Sequence, residues 1–345
     1  MRKARWAILN VATICQRTII EMKESDVLEV VAVCSRSMEK AKKFSEEHQI
    51  PSYYDNQDEM LARDDIDIVY IPAPTYLHSE LSMKCMNAGK NVLCEKPIAN
   101  SSREAELMFE CARKNNVFLA EGIWTNYFPA MKQTMKWIRD GRIGTPKHLY
   151  ATFGTNLPNL RRYPPQSWDE RPELGGGALC CLGCYCSDLA TMVFGSEPEE
   201  ILGSCKLAGP GGVDTHGTAI LNYNGRDQHA MISTSSEVTT PIEAQIYGTE
   251  GNIVLGKLFF APFSCALYTP QGHMGYNDLL MQYTDPYSAK HREGFRYQFD
   301  AVSKYVLEGK KESEEVSPEF SIQCARVLEG IRRSWGFYIP KTRIK

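Results

Sequence analysis

The chain has 345 residues, with Lys+Arg 39 against Asp+Glu 42 for a net charge of −3 at pH 7, 43% hydrophobic and 23% charged. At about 150 residues per domain this predicts two domains with cores large enough to need no disulfides, and the composition excludes wholesale disorder. A near-neutral balance excludes a surface built to neutralise a nucleic-acid backbone, and with no apolar run near the ~18 residues of a bilayer span, no membrane partner is expected.

The basic start Met1-Arg2-Lys3-Ala4-Arg5, followed by Trp6 to Ile14, has the outline of a signal peptide. Asn10 and Thr13 interrupt the apolar stretch, and Gln16-Arg17 stands where a small-residue cleavage site belongs. The run Trp6 to Leu9 is read instead as a strand, followed by a helical pattern through Met22. Val27 to Cys34 is a Val-rich strand that ends at Ser35-Arg36-Ser37, and Ser37 caps the next helix. Ile66 to Ile71 is a buried strand closed by Pro72 and Pro74, and Glu80 to Ala88 is a helix ended by Gly89. Asn91 to Cys94, Arg103 to Asn115 and Val117 to Ala120 continue as strand, helix, strand. Strands separated by helices predict right-handed βαβ units and a doubly wound parallel sheet.

The pattern changes after Trp124. A helix over Ala130 to Asp140 precedes long β-type segments: His148 to Thr155, Ile201 to Leu207, Thr218 to Tyr223, Gln228 to Ser235, Ile242 to Tyr247, Asn252 to Leu255 and Ala266 to Thr269. Asn224-Gly225 is a strong hairpin signal between two of them. A last helix is predicted over Pro318 to Arg333. Strands in succession predict an α+β domain on a large, mostly antiparallel open sheet. The division expected is a dinucleotide-binding domain, 1–123, and a substrate-binding domain, 124–345, with the last helix packing back on the first domain. The basic pairs Arg161-Arg162, Lys310-Lys311 and Arg332-Arg333 read as solvated faces. Twelve cysteines scattered through apparent strands and helices fit buried thiols in a reducing cytosol, so the expected location is cytoplasmic.

A doubly wound sheet binds its ligand beyond the carboxyl ends of its strands, above all at the first strand-to-helix turn. A dinucleotide-binding turn reads G-x-G-x-x-G, but here it reads Asn10-Val11-Ala12-Thr13-Ile14-Cys15. Asn10 tolerates the left-handed region, Ala12 adds only a methyl group, and the helix N-terminus keeps its free N–H groups. Asn10, Ala12, Thr13 and Ile14 are therefore the candidate pyrophosphate cradle. At the end of the second strand, Ser35 and Arg36 stand where NAD readers carry an acidic residue, which points to NADP(H), with NAD(H) as the second cofactor.

Val92-Leu93-Cys94-Glu95-Lys96-Pro97-Ile98-Ala99, after Ala88-Gly89-Lys90-Asn91, resembles the Glu-Lys-Pro signature of the glucose–fructose oxidoreductase / inositol dehydrogenase / MocA family. In chain order, Pro74 to His78 resembles the loop after the third nucleotide-domain strand, and Glu121 to Pro129 the segment joining the two domains. Leu174 to Leu179 with Gly183-Cys184-Tyr185 resembles the central catalytic helix. Arg332-Arg333-Ser334-Trp335-Gly336 is similar to the dimeric dihydrodiol dehydrogenase branch.

The resemblance implies Tyr185 as general acid/base, Lys96 as the residue that tunes it and orients substrate and nicotinamide, and Glu95 as support for Lys96. Moving a hydride off a carbinol carbon requires a base for the hydroxyl proton, and a nearby ammonium lowers a phenol's pKa of about 10. Pro74, His78, Glu95 and Lys96 join the expected cofactor-binding residues. His78 is read either as a contact to substrate or nicotinamide or as a helix cap. Trp124, Arg171 and Tyr185 are the substrate-binding candidates; for Trp124 the alternative is core packing, for Arg171 an exposed loop position. Tyr185 occupies the place of a His in inositol-dehydrogenase-like members, and Cys181 that of an Asp. On a regular helix Cys180 and Cys184 share a face beside Cys181, but with no partner C-x-x-C, and with Cys186 pointing elsewhere, small hydrophobic packing is the reading and no metal is expected.

The expected activity is NADP(H)-dependent hydride transfer at a carbinol or carbonyl carbon of a sugar, sugar derivative or cyclic diol. The resemblance further implies a homodimer through the open face of the second domain's sheet. The alternatives are a redox-assisted, NAD-dependent glycosidase on the same fold and a non-catalytic nucleotide-sensing regulator.

Overall fold

The computed structural model describes residues 2–161, 165–270, 277–287 and 293–336, which leaves Arg162 of the first basic pair outside the described residues. The chain forms two compact units, Met1–Tyr127 with Glu293–Ser321 and Phe128–Arg292 with Ile322–Lys341.

The first unit opens with β1 (Ala4–Leu9), α1 (Cys15–Lys23), β2 (Leu28–Cys34), α2 (Met38–His48), β3 (Ser52–Tyr54), α3 (Gln57–Leu61) and β4 (Ile68–Ile71). It continues with α4 (His78–Asn87), β5 (Asn91–Glu95), α5 (Ser102–Asn115) and β6 (Leu119–Gly122). The six strands are parallel in the order β3-β2-β1-β4-β5-β6, so the order reverses between β1 and β4. Ligands bind at such a switch point in this architecture. The run resembling a signal peptide is thus β1, paired on both sides, with Trp6, Ala7 and Ile8 fully buried. A strand buried on both faces needs a near-continuous apolar run, and β4 (IVYI) has one as well. Side chains mark the helix starts: Ser37 Oγ accepts from the Lys40 amide, Asn56 Oδ1 from Asp58, and Ser101 Oγ from Glu104.

The second unit contains α6 (Pro129–Arg139), β7 (Pro146–Gly154), α7 (Cys184–Phe194), β8 (Glu200–Leu207), β9 (Asp214–Tyr223), β10 (Gln228–Ser235), β11 (Ala244–Gly248), β12 (Asn252–Leu255), β13 (Ser264–Pro270) and β14 (Asn277–Thr284). Its eight-stranded sheet runs β14-β13-β12-β11-β7-β10-β9-β8, antiparallel except where β7 pairs with β10. The β9–β10 hairpin that Asn224-Gly225 predicts forms, its turn running over Asn224–Asp227 with Asn224 (φ +49°), Gly225 (φ +62°) and Arg226 (φ +70°) all left-handed. Ala151, Ala219, Ile232, Ile246 and Ile253 point into the core. On the opposite face Leu202, Ile220 and Met231 stand side by side in register and remain 48, 39 and 41% exposed.

Before α7 the chain winds as a π-helix over Leu179–Gly183. The helical spacing assumed for Cys180 and Cys184 therefore does not hold, because the wider turn moves side chains four apart off a common face. The helical run Pro172–Phe194 has the length and hydropathy of a membrane span, contrary to the sequence reading, and 83% of its most apolar window is buried inside the protein. Its apolarity serves the core.

Two further helices follow, α8 (Arg296–Leu307) and α9 (Pro318–Ser334). α8 belongs to the first unit, where it packs on α1, β1 and β2, and so does the first turn of α9; the remainder of α9 belongs to the second. The chain therefore divides more than once, whereas the sequence reading places 124–345 in a single domain. The cause is visible in the polar and aromatic partners of α8. The Trp6 indole N–H donates to Ser303 Oγ at 2.9 Å, and the Trp6 and Tyr70 rings both meet Phe299 edge-on. The Glu21 carboxylate, 2% exposed, accepts the amides of Glu293, Gly294 and Arg296 at 2.8–3.1 Å, satisfying backbone donors at the start of α8. Arg332 departs from expectation too. It is 2% exposed, not part of a solvated face.

Glu21→Ala leaves three amide groups without an acceptor. It is expected to lower stability by about 3 kcal/mol, measured by urea unfolding, while Glu21→Gln, which keeps one acceptor oxygen, loses less.

Candidate active site

In the first unit the turn after β1 is accessible at Asn10 through Ile14. Asn10 sits at φ +85°, the left-handed conformation that a turn glycine normally supplies, and its amide donates to Cys34 O at 2.8 Å. The first amides of α1 are taken, Cys15 donating to Ala12 O, Gln16 to Thr13 O and Arg17 to Ile14 O, whereas among the described residues the amides of Ala12, Thr13 and Ile14 in the turn before it have no partner. Ser35 is buried and its amide is bound by Tyr54 O, whereas Arg36 is exposed and pairs with no acid among the described residues. These features fit a dinucleotide: a left-handed turn, free amides in the turn before α1, and an unpaired guanidinium at the end of β2.

The loops after β4 and β5 are tied together by side chains. Lys96 follows β5, and the Lys96–Pro97 peptide is cis. Three backbone groups of the turn have side-chain partners. The Lys96 amide donates to Glu95 Oε2 at 3.2 Å, the Pro97 carbonyl lies 2.8 Å from His78 Nδ1, and the Ile98 amide donates to Glu121 Oε1 at 2.9 Å. The other His78 nitrogen, Nε2, lies 2.8 Å from the Ala73 carbonyl, so one fully buried ring spans both loops. His78 is a brace in this structure. Both of its nitrogens are engaged by backbone, which leaves neither the substrate contact nor a helix cap as its role. Pro74 supports the short turn between, where its carbonyl accepts from the Leu77 amide at 2.9 Å.

The electrostatics of the turn follow from burial. The Tyr70 hydroxyl donates to Glu95 Oε1 at 2.7 Å. Burial raises the Glu95 carboxyl above its ordinary value, against the lowering effect of Tyr70 and of the Lys96 ammonium. Burial pushes Glu121 up to about 7, with Glu95 adding to the shift and the Ile98 amide and Lys96 opposing it. Burial also lowers His78. Sequence reasoning missed Tyr70 and Glu121 as members of this network. The available signal was an acidic residue inside the apolar strand Leu119-Ala120-Glu121-Gly122, where a lone carboxylate is costly without partners.

Trp124 is 4% exposed and lies flat on Phe295, with ring centroids 3.9 Å apart and an interplanar angle of 11°. The Arg17 guanidinium stands 5.3 Å from the Phe295 ring centroid and pairs with Glu293. Trp124 is thus packed in the first unit, which is the alternative the sequence allowed.

In the second unit Tyr185 lies in the first turn of α7, 9% exposed, among aromatic rings. Its centroid is 5.3 Å from Phe260 and 5.8 Å from Phe153, and those two rings stack at 4.5 Å. Cys181 is partly exposed, whereas Cys180, Cys184 and Cys186 are buried, and burial raises the Cys186 thiol. The Arg171 side chain is exposed; its carbonyl accepts from Leu174 and Gly176 and so shapes the glycine run.

The residues 4–123 match the family model for the oxidoreductase family with an NAD-binding Rossmann fold, and 131–254 match the GFO/IDH/MocA C-terminal domain. The chain belongs to the GFO/IDH/MocA oxidoreductase family. It is an NAD(P)-dependent oxidoreductase. Among GFO/IDH/MocA relatives, the trans-1,2-dihydrobenzene-1,2-diol dehydrogenase of Xenopus laevis is 31% identical over 97% of this chain and 99% of the relative. The NADP(+)-dependent scyllo-inositol 2-dehydrogenase of Bacillus subtilis is 31% identical over 97% of this chain and 98% of its own. Among solved structures, an aldose–aldose oxidoreductase of Caulobacter crescentus superimposes with a TM-score of 0.83 at 24% identity, covering 96% of this chain and 97% of that one; at that identity the likeness is one of fold.

A carboxyl raised by burial is more stable protonated in the fold. Its contribution is fully present below its ordinary pKa and lost as pH rises through the folded value. Glu121→Gln, which fixes the neutral form, is therefore expected to raise Tm more at pH 8 than at pH 5, by calorimetry at both.

Proposed function

We propose that the protein transfers a hydride between NADP(H) and a carbinol or carbonyl carbon of a sugar, sugar derivative or cyclic diol. The observation that carries this reading is the braced Lys96 turn. Three side chains, two of them acidic, hold the backbone of the Lys96–Ile98 turn at the carboxyl end of the parallel strand β5. Near full-length similarity to dehydrogenases of a cyclic diol and of an inositol supports the substrate class.

The nicotinamide ring supplies or accepts the hydride. Tyr185 takes the proton from the substrate hydroxyl or returns it to the carbonyl oxygen, and the Lys96 ammonium favours the phenolate it needs. Glu95 supports Lys96 through its amide. The free amides of the turn from Asn10 to Ile14 would hold pyrophosphate, and Arg36 the 2′-phosphate. The left-handed Asn10 favours a working cofactor turn over a vestigial one. The exposed row Leu202, Ile220 and Met231 supports a homodimer through the open sheet face, and twelve free thiols suit a cytoplasmic setting.

Tryptophan fluorescence titration is expected to show tight NADPH and weaker NADH binding. Arg36→Asp is expected to raise the NADPH Kd about tenfold or more and leave NADH nearly unchanged, the size expected on losing one charge-assisted contact. With trans-1,2-dihydrobenzene-1,2-diol and scyllo-inositol as trial substrates, Tyr185→Phe is expected to lower kcat about 100-fold or more at unaltered NADPH affinity. Full turnover by Tyr185→Phe overturns the assignment.

A further inference from the structure

Beneath the start of the helical segment that carries Tyr185 lies a charged cluster the proposed chemistry does not use. Asp214, the first residue of β9, is fully buried. Its Oδ2 accepts the Leu179 amide at 2.6 Å, at the first residue of the π-helix. Its Oδ1 has no hydrogen-bond partner among the described residues. Gly177 presses on that oxygen: a Cβ at Gly177 would stand 2.1 Å from Oδ1, and the residue's φ of +111° is one that glycine adopts without strain. On the other side Arg332 of α9 donates through Nη2 to Cys180 Sγ, while its buried Nε has no hydrogen-bond partner among the described residues. Thr234 Oγ1 donates to the Ala178 carbonyl at 3.2 Å, a second anchor one residue before Leu179.

A permanently charged guanidinium taken out of water needs a counter-charge. Asp214 is the carboxylate whose charge it faces. Burial nevertheless pushes the Asp214 carboxyl up to about 6, against the lowering effects of the Leu179 amide and of Arg332. The groups facing it are Arg332 from α9, Cys180 from the π-helix and Cys205 from β8, whose thiol is pushed up to about 11 by burial and then by Asp214. By linkage the ionised carboxylate costs stability that the protonated form would keep, so at neutral pH the fold carries a charge it would be more stable without.

We propose that Asp214 is a positioning residue for the reaction, its carboxylate fixing the first turn of the segment that carries Tyr185, with Arg332 as the buried counter-charge. This rests on the reading of Tyr185 as acid/base. Above about pH 6 the ionised carboxylate holds the Leu179 amide and balances Arg332. Below it both ties weaken, and the tyrosine loses its fixed approach. Misplacement on this scale lowers turnover without touching cofactor affinity, which belongs to the first unit.

The test is the double variant Asp214→Asn with Arg332→Met, which removes both charges together and so avoids leaving either one alone. With NADP+ and whichever of the two trial substrates is turned over, kcat is expected to fall about tenfold or more, with KM and NADPH Kd near wild type. The acid limb of kcat near pH 6 is expected to disappear. Hydrogen exchange over residues 177–185 at one fixed pH is expected to quicken, a readout that needs no activity. Wild-type kcat, acid limb and exchange in the double variant would overturn the proposal. Should that variant fail to fold, Thr234→Val removes the neighbouring anchor without disturbing a charge. It is expected to lower kcat in the same way, and unchanged kcat and exchange there overturn the proposal equally. A dead Tyr185→Phe beside an unaffected double variant sinks this inference alone, whereas an active Tyr185→Phe sinks the acid/base reading whatever Asp214 does.

Discussion

The first unit is organised around one constraint: the turn from Lys96 to Ile98 has to hold a cationic side chain at the end of a buried strand. Pro97 and Ile98 are buried there, so backbone groups of the turn require protein partners, and Glu95, His78 and Glu121 provide them for the Lys96 amide, the Pro97 carbonyl and the Ile98 amide. These side chains come from three places in the sheet. Glu95 ends β5, His78 begins α4 after β4, and Glu121 lies in β6. The parallel order β4-β5-β6 is what makes them neighbours. Two buried carboxyls close to one lysine offset their desolvation with its charge, and the Tyr70 hydroxyl supplies the remaining hydrogen bond to Glu95.

Much of this was legible in the sequence, for reasons that can be named. The alternation of apolar strand and helix through residue 120 encodes a parallel sheet because both faces of each strand are buried. Asn224-Gly225 encodes its hairpin through the positive φ of both residues. Lys96 stands out because Glu and Pro flank it. The asparagine that breaks the glycine pattern turns out to adopt the glycine's conformation.

What was not legible depends on contacts distant in sequence. The partners of Glu21 lie more than 270 residues away, and Cys180, the hydrogen-bond partner of Arg332, lies 152 away. No local pattern distinguishes such a buried arginine from one on a solvated face. The π-helix escaped notice because Leu179-Cys180-Cys181-Leu182-Gly183 fits ordinary helical periodicity equally well; the side chains of Asp214 and Thr234 act there instead. β14 was missed because Asn277–Thr284 runs along the sheet's edge, where Leu279, Leu280 and Met281 remain half exposed and alternation is weak.

The return of the chain to its first unit bears on how the protein is made. A ribosome releases the strands β1 to β6 well before α8 emerges. Until about residue 307 is free, Trp6 has no Ser303 to bond, Phe299 is missing from beside Trp6 and Tyr70, and the Glu21 carboxylate has no amides to accept. The nascent nucleotide-binding half therefore waits, with an aromatic surface uncovered, while residues 128–292 of the second unit are synthesised. A protein cut after Tyr127 would carry that uncovered surface permanently, because residues 293–321 complete the first unit.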